Sequence, residues 1–184
     1  MTVSWWHYIA MIVQLEDVHL PALVAHIARH SRESGQDGDV IFRPRSSDAP
    51  IDEPATMERH QIGWAQGLDQ PYWLRTWGIV IDGAIRGHLD LHGGRMPSVG
   101  HRALLGMGVE RPWRGRGHGR ALLTTAIAWA RDAGLAWLDL GVLAHNRRAR
   151  KLYGSIGFVE VGVTRDRYRV DGARIDDVAM VFAL

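Results

Sequence analysis

The run Arg114-Gly115-Arg116-Gly117-His118-Gly119-Arg120 lies between an apolar, strand-like stretch, Ala103 to Val109, and a helical pattern from Ala121 to Ala133. Glycines at alternate positions let backbone N–H groups converge with no Cβ in the way. The start of the following helix adds its partial positive charge. This combination is suited to an anion, a phosphate first of all. The spacing does not fit the dinucleotide fingerprint G-x-G-x-x-G, and no G-x-x-x-x-G-K-[ST] occurs. What remains is R-x-x-G-x-G, read on Arg114, Gly117 and Gly119. A glycine-rich turn whose arginines merely solvate a loop is the plain alternative.

A second constellation follows in the chain: Asn146, Ala149, Leu152-Tyr153 and Gly157-Phe158, shortly after the strand-like run Ala136 to Leu143. In this order the two motifs resemble those of the GNAT superfamily of acyl-CoA-dependent N-acetyltransferases. That family has a pyrophosphate loop R/Q-x-x-G-x-G/A and a later helix that commonly reads N-x-x-A-x-x-L-Y, followed by G-F. The specific residues lie between about Ala103 and Phe158, and the element order extends the resemblance over most of the chain.

The elements that must position these residues are legible in outline. Tyr8 to Leu15 reads as a strand, and Leu20, Leu23, Val24 and Ile27 recur at helical spacing to about Arg32. Ser34 to Thr56 is rich in Gly, Asp, Ser and Pro and reads as a long loop. A helix is expected from Met57 to Leu68 with Ile62, Ala65 and Trp64 inward, ended by Asp69-Gln70-Pro71. Tyr72 to Ile81 and Ala84 to His92 are β-rich runs joined by Asp82-Gly83, a strong hairpin signal. His101 to Val109 is the next strand, Gly117 to Ala133 a helix with Gly134 behind it, and Ala136 to Leu143 a strand. A helix from Asn146 to Ile156 precedes strands Phe158 to Val170 and Ile175 to Leu184, which flank Asp171-Gly172. The resemblance implies one α/β (α+β) domain spanning 1–184: a mixed, mostly antiparallel twisted sheet of about seven strands with helices on both faces.

The resemblance also implies a reaction, transfer of an acetyl group from acetyl-CoA, as co-substrate, to a primary amine by direct attack in a ternary complex. The loop residues Arg114, Gly115, Arg116, Gly117, His118, Gly119 and Arg120 would hold the pyrophosphate, and Arg111, Arg116 or Arg120 the adenosine-side phosphate. Leu105-Gly106-Met107-Gly108-Val109 has glycines inside a strand, which marks a bulge or a close approach. By the resemblance, the backbone at Met107 and Val109 pairs with the pantetheine arm. Asn146 suits the N-cap of its helix and is compatible with contact to CoA. Tyr153 is either a core aromatic or, by the family motif, the acid that protonates the departing thiolate.

The general base is not identified by motif. In the branch that acetylates ribosomal-protein N-termini, a Glu commonly stands five residues before this Asn. Gly141 is there instead. Glu110, His101 and the trio His88, Asp90 and His92 are the candidates, of which His101 or Glu110, acting through ordered water, is preferred. His88, Asp90 and His92 share one strand face, and three polar residues on an exposed face explain them better than a metal site, so no metal is expected.

The rest of the chain sets bounds. Its 184 residues suit one domain. With no cysteine, disulfides, thiolate metal sites and a Cys nucleophile are excluded, which is compatible with a reducing cytoplasm. Met1 to Leu15 lacks a basic n-region and no apolar run reaches spanning length, so a soluble, cytoplasmic protein away from membranes is expected. A net charge of only +2 does not point to nucleic acid. The acidic residues Asp37, Asp39, Asp48, Asp52 and Glu53 of the long loop would favour a cationic amine if they faced the cleft. The eight tryptophans, Trp5, Trp6, Trp64, Trp73, Trp77 and Trp113 among them, give a homodimer as an expectation. A non-catalytic acyl-CoA sensor that keeps the phosphate loop is the alternative reading.

Overall fold

The computed structural model describes residues 10–46 and 48–184. Tyr8 and Ile9, where the first strand was expected to begin, lie outside them, as do Trp5 and Trp6. The order is β1 (Met11–Gln14), α1 (Leu20–Arg32), α2 (Glu53–Ala65), β2 (Leu74–Ile81), β3 (Ala84–Gly93), β4 (Arg102–Val109), α3 (His118–Asp132), β5 (Trp137–Leu143), α4 (Arg147–Ile156), β6 (Val159–Val170) and β7 (Ala173–Ala183). The strands form one mixed sheet, ordered β1-β2-β3-β4-β5-β7-β6. Among the described residues, only β4 and β5 are parallel neighbours.

Local chemistry explains most boundaries. In both hairpin turns the central residues are left-handed: Asp82 (φ 50°) with Gly83 (φ 73°), and Asp171 (φ 48°) with Gly172 (φ 80°). This geometry matches the twist of the flanking strands, and Asp-Gly adopts it at little cost. The second helix departs from the reading above, starting at Glu53 rather than Met57 and ending at Ala65 rather than Leu68. Asp52 accepts a hydrogen bond from the Ala55 N–H at 3.0 Å, and Pro54 sits in the first turn, where its missing N–H costs nothing. The inward face also differs. His60, Gly63 and Trp64 face in, while Ile62 is 53% exposed and Ala65 is exposed. A β-carbon at Gly63 would sit 2.5 Å from that of Leu74, so this glycine lets α2 approach the sheet closely.

Alternation along the strands divides the interior in two. Trp77, Leu89, Leu91, Leu105, Leu138 and Leu140 pack with Leu122, Leu123 and Ala126 of α3 and with Tyr153 of α4. On the other face, Leu15 and Ile85 pack against Leu23 and Ile27 of α1 and Trp64 of α2. Trp73 and Trp77 are both buried in the larger core, so they are accounted for within the chain.

One feature of the register builds the site. β4 and β5 pair only over Arg102–Leu104 and Trp137–Asp139. Beyond Leu104 and Asp139 they part, and from Leu105 to Val109 the β4 edge has no partner on that side. Gly106 and Gly141, two residues past the last pair, stand on either side of the opening. A β-carbon at Gly106 would meet nothing within 4 Å.

Candidate active site

The opening between β4 and β5 leads into a cleft of about 1070 Å³ that runs past the 115–119 loop and the start of α4. This is at the upper end of the volumes of small-molecule sites, which run to roughly 1000 Å³, and suits a long ligand. Gly115 (φ 76°) and Gly117 (φ 87°) are left-handed, a region closed to most side-chain-bearing residues, and Gly117 is the N-cap of α3. The backbone N–H groups of residues 115–120 have no hydrogen-bond partner among the described residues. Those of 118–120 belong to the first turn of α3, where no intrahelical acceptor exists. A row of such donors at the positive end of a helix is suited to receive an anion. Gly119 serves packing, since a β-carbon there would meet Leu152 at 3.0 Å and Met107 at 3.3 Å.

The arginines divide into two groups. Arg114 turns away from the phosphate loop: its guanidinium pairs with Glu33 and Asp39, and its Nε donates to the Val109 carbonyl at 2.7 Å. Arg111 donates to Asp37, Asp39 and the carbonyls of Glu33 and Gln36, and its own N–H is held by the Glu33 carboxylate. Together they clamp the segment after α1 over the cleft, where Gly38, Asp39, Val40, Phe42 and Pro44 form a wall. Asp37 and Asp39 are thus engaged by arginine, and Asp52 caps α2. This removes the reason to read these residues as an attraction for a cationic amine. Arg116 lies over the Trp113 ring at 5.0 Å, and Arg120 donates to Ser155 Oγ at 2.8 Å. Arg148 lines the cleft, with its guanidinium 3.3 Å from where a β-carbon of Gly115 would be. His118 is held below the ordinary histidine range by burial and by Arg116.

Asn146 caps α4, its side-chain oxygen accepting the Ala149 N–H at 3.1 Å, and it lines the cleft. Tyr153, two turns further on, is buried against Phe158 and also reaches the cleft. Its hydroxyl has no hydrogen-bond partner among the described residues, and burial pushes its ionisation well above the ordinary phenol range. It is therefore a neutral O–H donor at any working pH. Met107 and Val109 both line the opening.

The two preferred base candidates are elsewhere. His101 is an exposed turn residue at the start of β4, the end away from the opening, and its carbonyl accepts the N–H groups of Ala136 and Trp137. Glu110 is buried outside the cleft lining and receives three donors: His26 Nδ1 at 2.9 Å, Arg29 Nε at 2.9 Å and Arg86 at 3.2 Å. Burial alone would raise its ionisation, but His26 and Arg29 outweigh burial and bring it to about 2. A carboxylate so held is a strong structural anchor and a weak proton acceptor.

The row His88, Asp90 and His92 is not on an exposed face; α1 and α2 cover it. His88 meets His26 at 2.9 Å, and burial brings it to about 3. Asp90 accepts Thr76 Oγ1 at 2.7 Å and faces His60 and Arg59. Their hydrogen bonding and charge overcome its burial and hold it ionised well below the carboxylate range. Among the described residues, no three His, Asp or Glu side chains are grouped to hold a metal ion. His92 and His30 reach the cleft, both kept neutral chiefly by burial. His30 stacks on Phe42 with ring centres 4.6 Å apart and occupies the space that a side chain at Gly108 would need.

The fold thus brings the 115–120 loop, Met107, Val109, Asn146 and Tyr153 to one cleft and leaves Glu110 and His101 out of it. His92, one of the base candidates, lines the cleft, whereas sequence reasoning missed Arg148, His30 and Asp177, which line it as well. A helical wheel of α4 hints at Arg148. Nothing local marks Asp177.

Comparison with known proteins agrees with this arrangement. The sequence profile described as Acetyltransferase (GNAT) family matches residues 40–158. An uncharacterized N-acetyltransferase, YycN of Bacillus subtilis, is 31% identical over 103 residues, covering 55% of this chain and 65% of the relative. The N-alpha-acetyltransferase RimI of Mycobacterium tuberculosis is 43% identical over 67 residues, 36% of this chain and 40% of the relative. The matches thus span less than two thirds of these relatives' own lengths. The crystal structure of yncA, a putative acetyltransferase from Salmonella typhimurium with its cofactor acetyl-CoA, superposes with a TM-score of 0.77. It covers 95% of this chain and 94% of that one at 16% identity, a likeness of fold. With the profile matched across the β4 edge, the phosphate loop and the Asn146 to Tyr153 helix, the chain belongs to the acetyltransferase (GNAT) family.

Proposed function

We propose that this protein is an N-acetyltransferase that moves an acetyl group from acetyl-CoA to a primary amine by direct attack in a ternary complex. The observation that carries the reading is the row of free N–H groups at 115–120, opening into a cleft that continues to the parted strands and Tyr153. The row would take the pyrophosphate, with Arg116 and Arg148 near enough to add charge. The unpaired edge of β4 around Met107 and Val109 would align the pantetheine arm. The thioester would then lie between β4 and β5, within reach of the Tyr153 hydroxyl as proton donor to the departing thiolate. With no cysteine in the chain, a cysteinyl acyl-enzyme is excluded. The amine would enter from the α1/α2 face, under the 38–44 wall. The relative named as an N-alpha-acetyltransferase makes a peptide N-terminus the first acceptor to try.

The test is a calorimetric titration of acetyl-CoA into the protein and its Gly117→Trp variant. It is followed by release of CoA thiol with an alanine-initiated hexapeptide, Nα-acetyl-lysine and spermidine as acceptors. Binding near micromolar, about 8 kcal/mol, that is lost in the variant is expected, with turnover of at least one amine. A folded wild type that binds no acetyl-CoA overturns the reading.

A further inference from the structure

We infer that Asp177 of β7 is the general base of this site, its carboxylate standing over β5 where Gly141 has no side chain. The inference rests on the acetyl-transfer reading and adds the residue that motif reasoning could not supply. Gly106 and Gly141 flank the opening between the strands, and both are bare on the face covered by α1 and α2. Asp177 pairs with Leu143 and leans back diagonally, so that a β-carbon built on Gly141 would sit 2.9 Å and 3.3 Å from its two carboxylate oxygens. A neighbouring strand thus provides an acid group at a position where β5 provides none.

The state of this carboxylate separates it from the other acids nearby. Asp39, the other carboxylate lining the cleft, is taken by Arg111 and Arg114, and Asp176 is taken by Arg165 and the Asp166 N–H. Asp177 accepts no hydrogen bond and forms no ion pair among the described residues. It lines the cleft half-buried, and burial raises its ionisation above the ordinary carboxylate range, against the opposing charge of Arg167 on β6. Tyr168 of β6, His92 of β3 and His145, which follows β5, are further titratable groups lining the cleft. Tyr153 approaches from the α3/α4 face and Asp177 from the opposite one, so proton acceptor and proton donor flank the plane of the parted strands.

Asp177 accepts one proton from the substrate ammonium, directly or through one water, and the freed nitrogen lone pair forms a bond to the thioester carbonyl carbon. The C–S bond breaks with its electron pair on sulfur, and Tyr153 gives that sulfur its proton. The remaining excess proton on the new amide nitrogen returns to the Tyr153 oxygen, and Asp177 releases its own to solvent. The products are amide, CoA thiol and one proton.

The experiment compares wild type, Asp177→Asn and the double variant Gly141→Glu with Asp177→Ala, using whichever of the three amines wild type turns over fastest. For Asp177→Asn the expected result is acetyl-CoA affinity within threefold of wild type and kcat lower by on the order of 100-fold. The deficit should shrink at alkaline pH, where the amine is already neutral. The double variant, which returns a carboxylate to the same space from β5, should recover at least tenfold over Asp177→Ala. Asp177→Asn that keeps kcat within threefold overturns the inference and leaves acetyl transfer standing. A wild type that acetylates none of the amines counts against both, and is recognised before any variant is read.

Discussion

Replacing Glu110 by Gln separates an anchoring role from a catalytic one. The carboxyl is 6% exposed and takes donors from His26, fully buried, and from Arg29 and Arg86, which are 40% and 30% exposed. A glutamine keeps one acceptor oxygen but turns an NH₂ toward a guanidinium, so at least one donor loses its partner. Holding the group at about 2 rather than 4.5 corresponds to roughly 3 kcal/mol of preference for the ionised form. Because both arginines can recover water, the loss should be about 2 kcal/mol, a fall in Tm of roughly 4–8 °C for a chain of this size. The sign with pH follows from a depressed folded-state value: the stabilisation is complete above about 4.5 and disappears as pH falls toward 2. Buried His88, held near 3 against 6.5 when exposed, also makes the fold lose stability on acidification. It is common to both proteins and cancels in their difference. Urea unfolding followed by tryptophan fluorescence from pH 3.5 to 8 should therefore give a constant gap above about pH 5.5 that narrows below pH 4.5. A gap under about 0.5 kcal/mol, or a variant of wild-type stability whose kcat has collapsed, would refute the anchoring assignment and return Glu110 to the chemistry.

Three other substitutions probe separate parts of the structure. Tyr153→Phe should lower kcat by about 100-fold while leaving the KM for acetyl-CoA and the Tm unchanged, because the hydroxyl has no hydrogen-bond partner among the described residues. Gly117→Ala, at φ 87°, should cost about 1 kcal/mol of stability and weaken acetyl-CoA binding at least tenfold by calorimetry. Gly93→Ala would push a methyl group into the indole of Trp73, which is 1% exposed. Its Tm should drop by the equivalent of about 1–3 kcal/mol, with kcat of the folded protein unchanged.

Glycine and capping chemistry made the 115–119 loop and the Asn146 helix legible, because those features act within a few residues. Their N–H groups, φ angles and caps are set by neighbours in the chain. The hairpins at Asp82-Gly83 and Asp171-Gly172 were readable for the same reason, and so were the boundaries of α1, α3 and α4. The start of α2 is hidden in sequence by the Asp, Pro and Gly content of 34–56, which resembles uniform loop. Asp52 followed by Pro54 is in fact a helix-start signal. The inward face of α2 was misjudged because burial there follows Asp90, thirty positions after His60, rather than hydrophobicity along the helix.

By itself, then, the sequence determined the order of elements, the glycine-rich loop before α3 and the placement of Tyr153 on its helix, all consequences of short-range sterics and periodicity. The tertiary structure alone decided which charges were free to act. Glu110 and Asp39 each look available in the sequence and are neutralised by arginines far from them in the chain. Asp177 carries no local signal, yet it comes to the mouth of the opening because β7 inserts beside β5 and Gly141 leaves it room. The reactivity of a carboxylate is set by what lies within a few ångströms of it, and only the folded chain determines that.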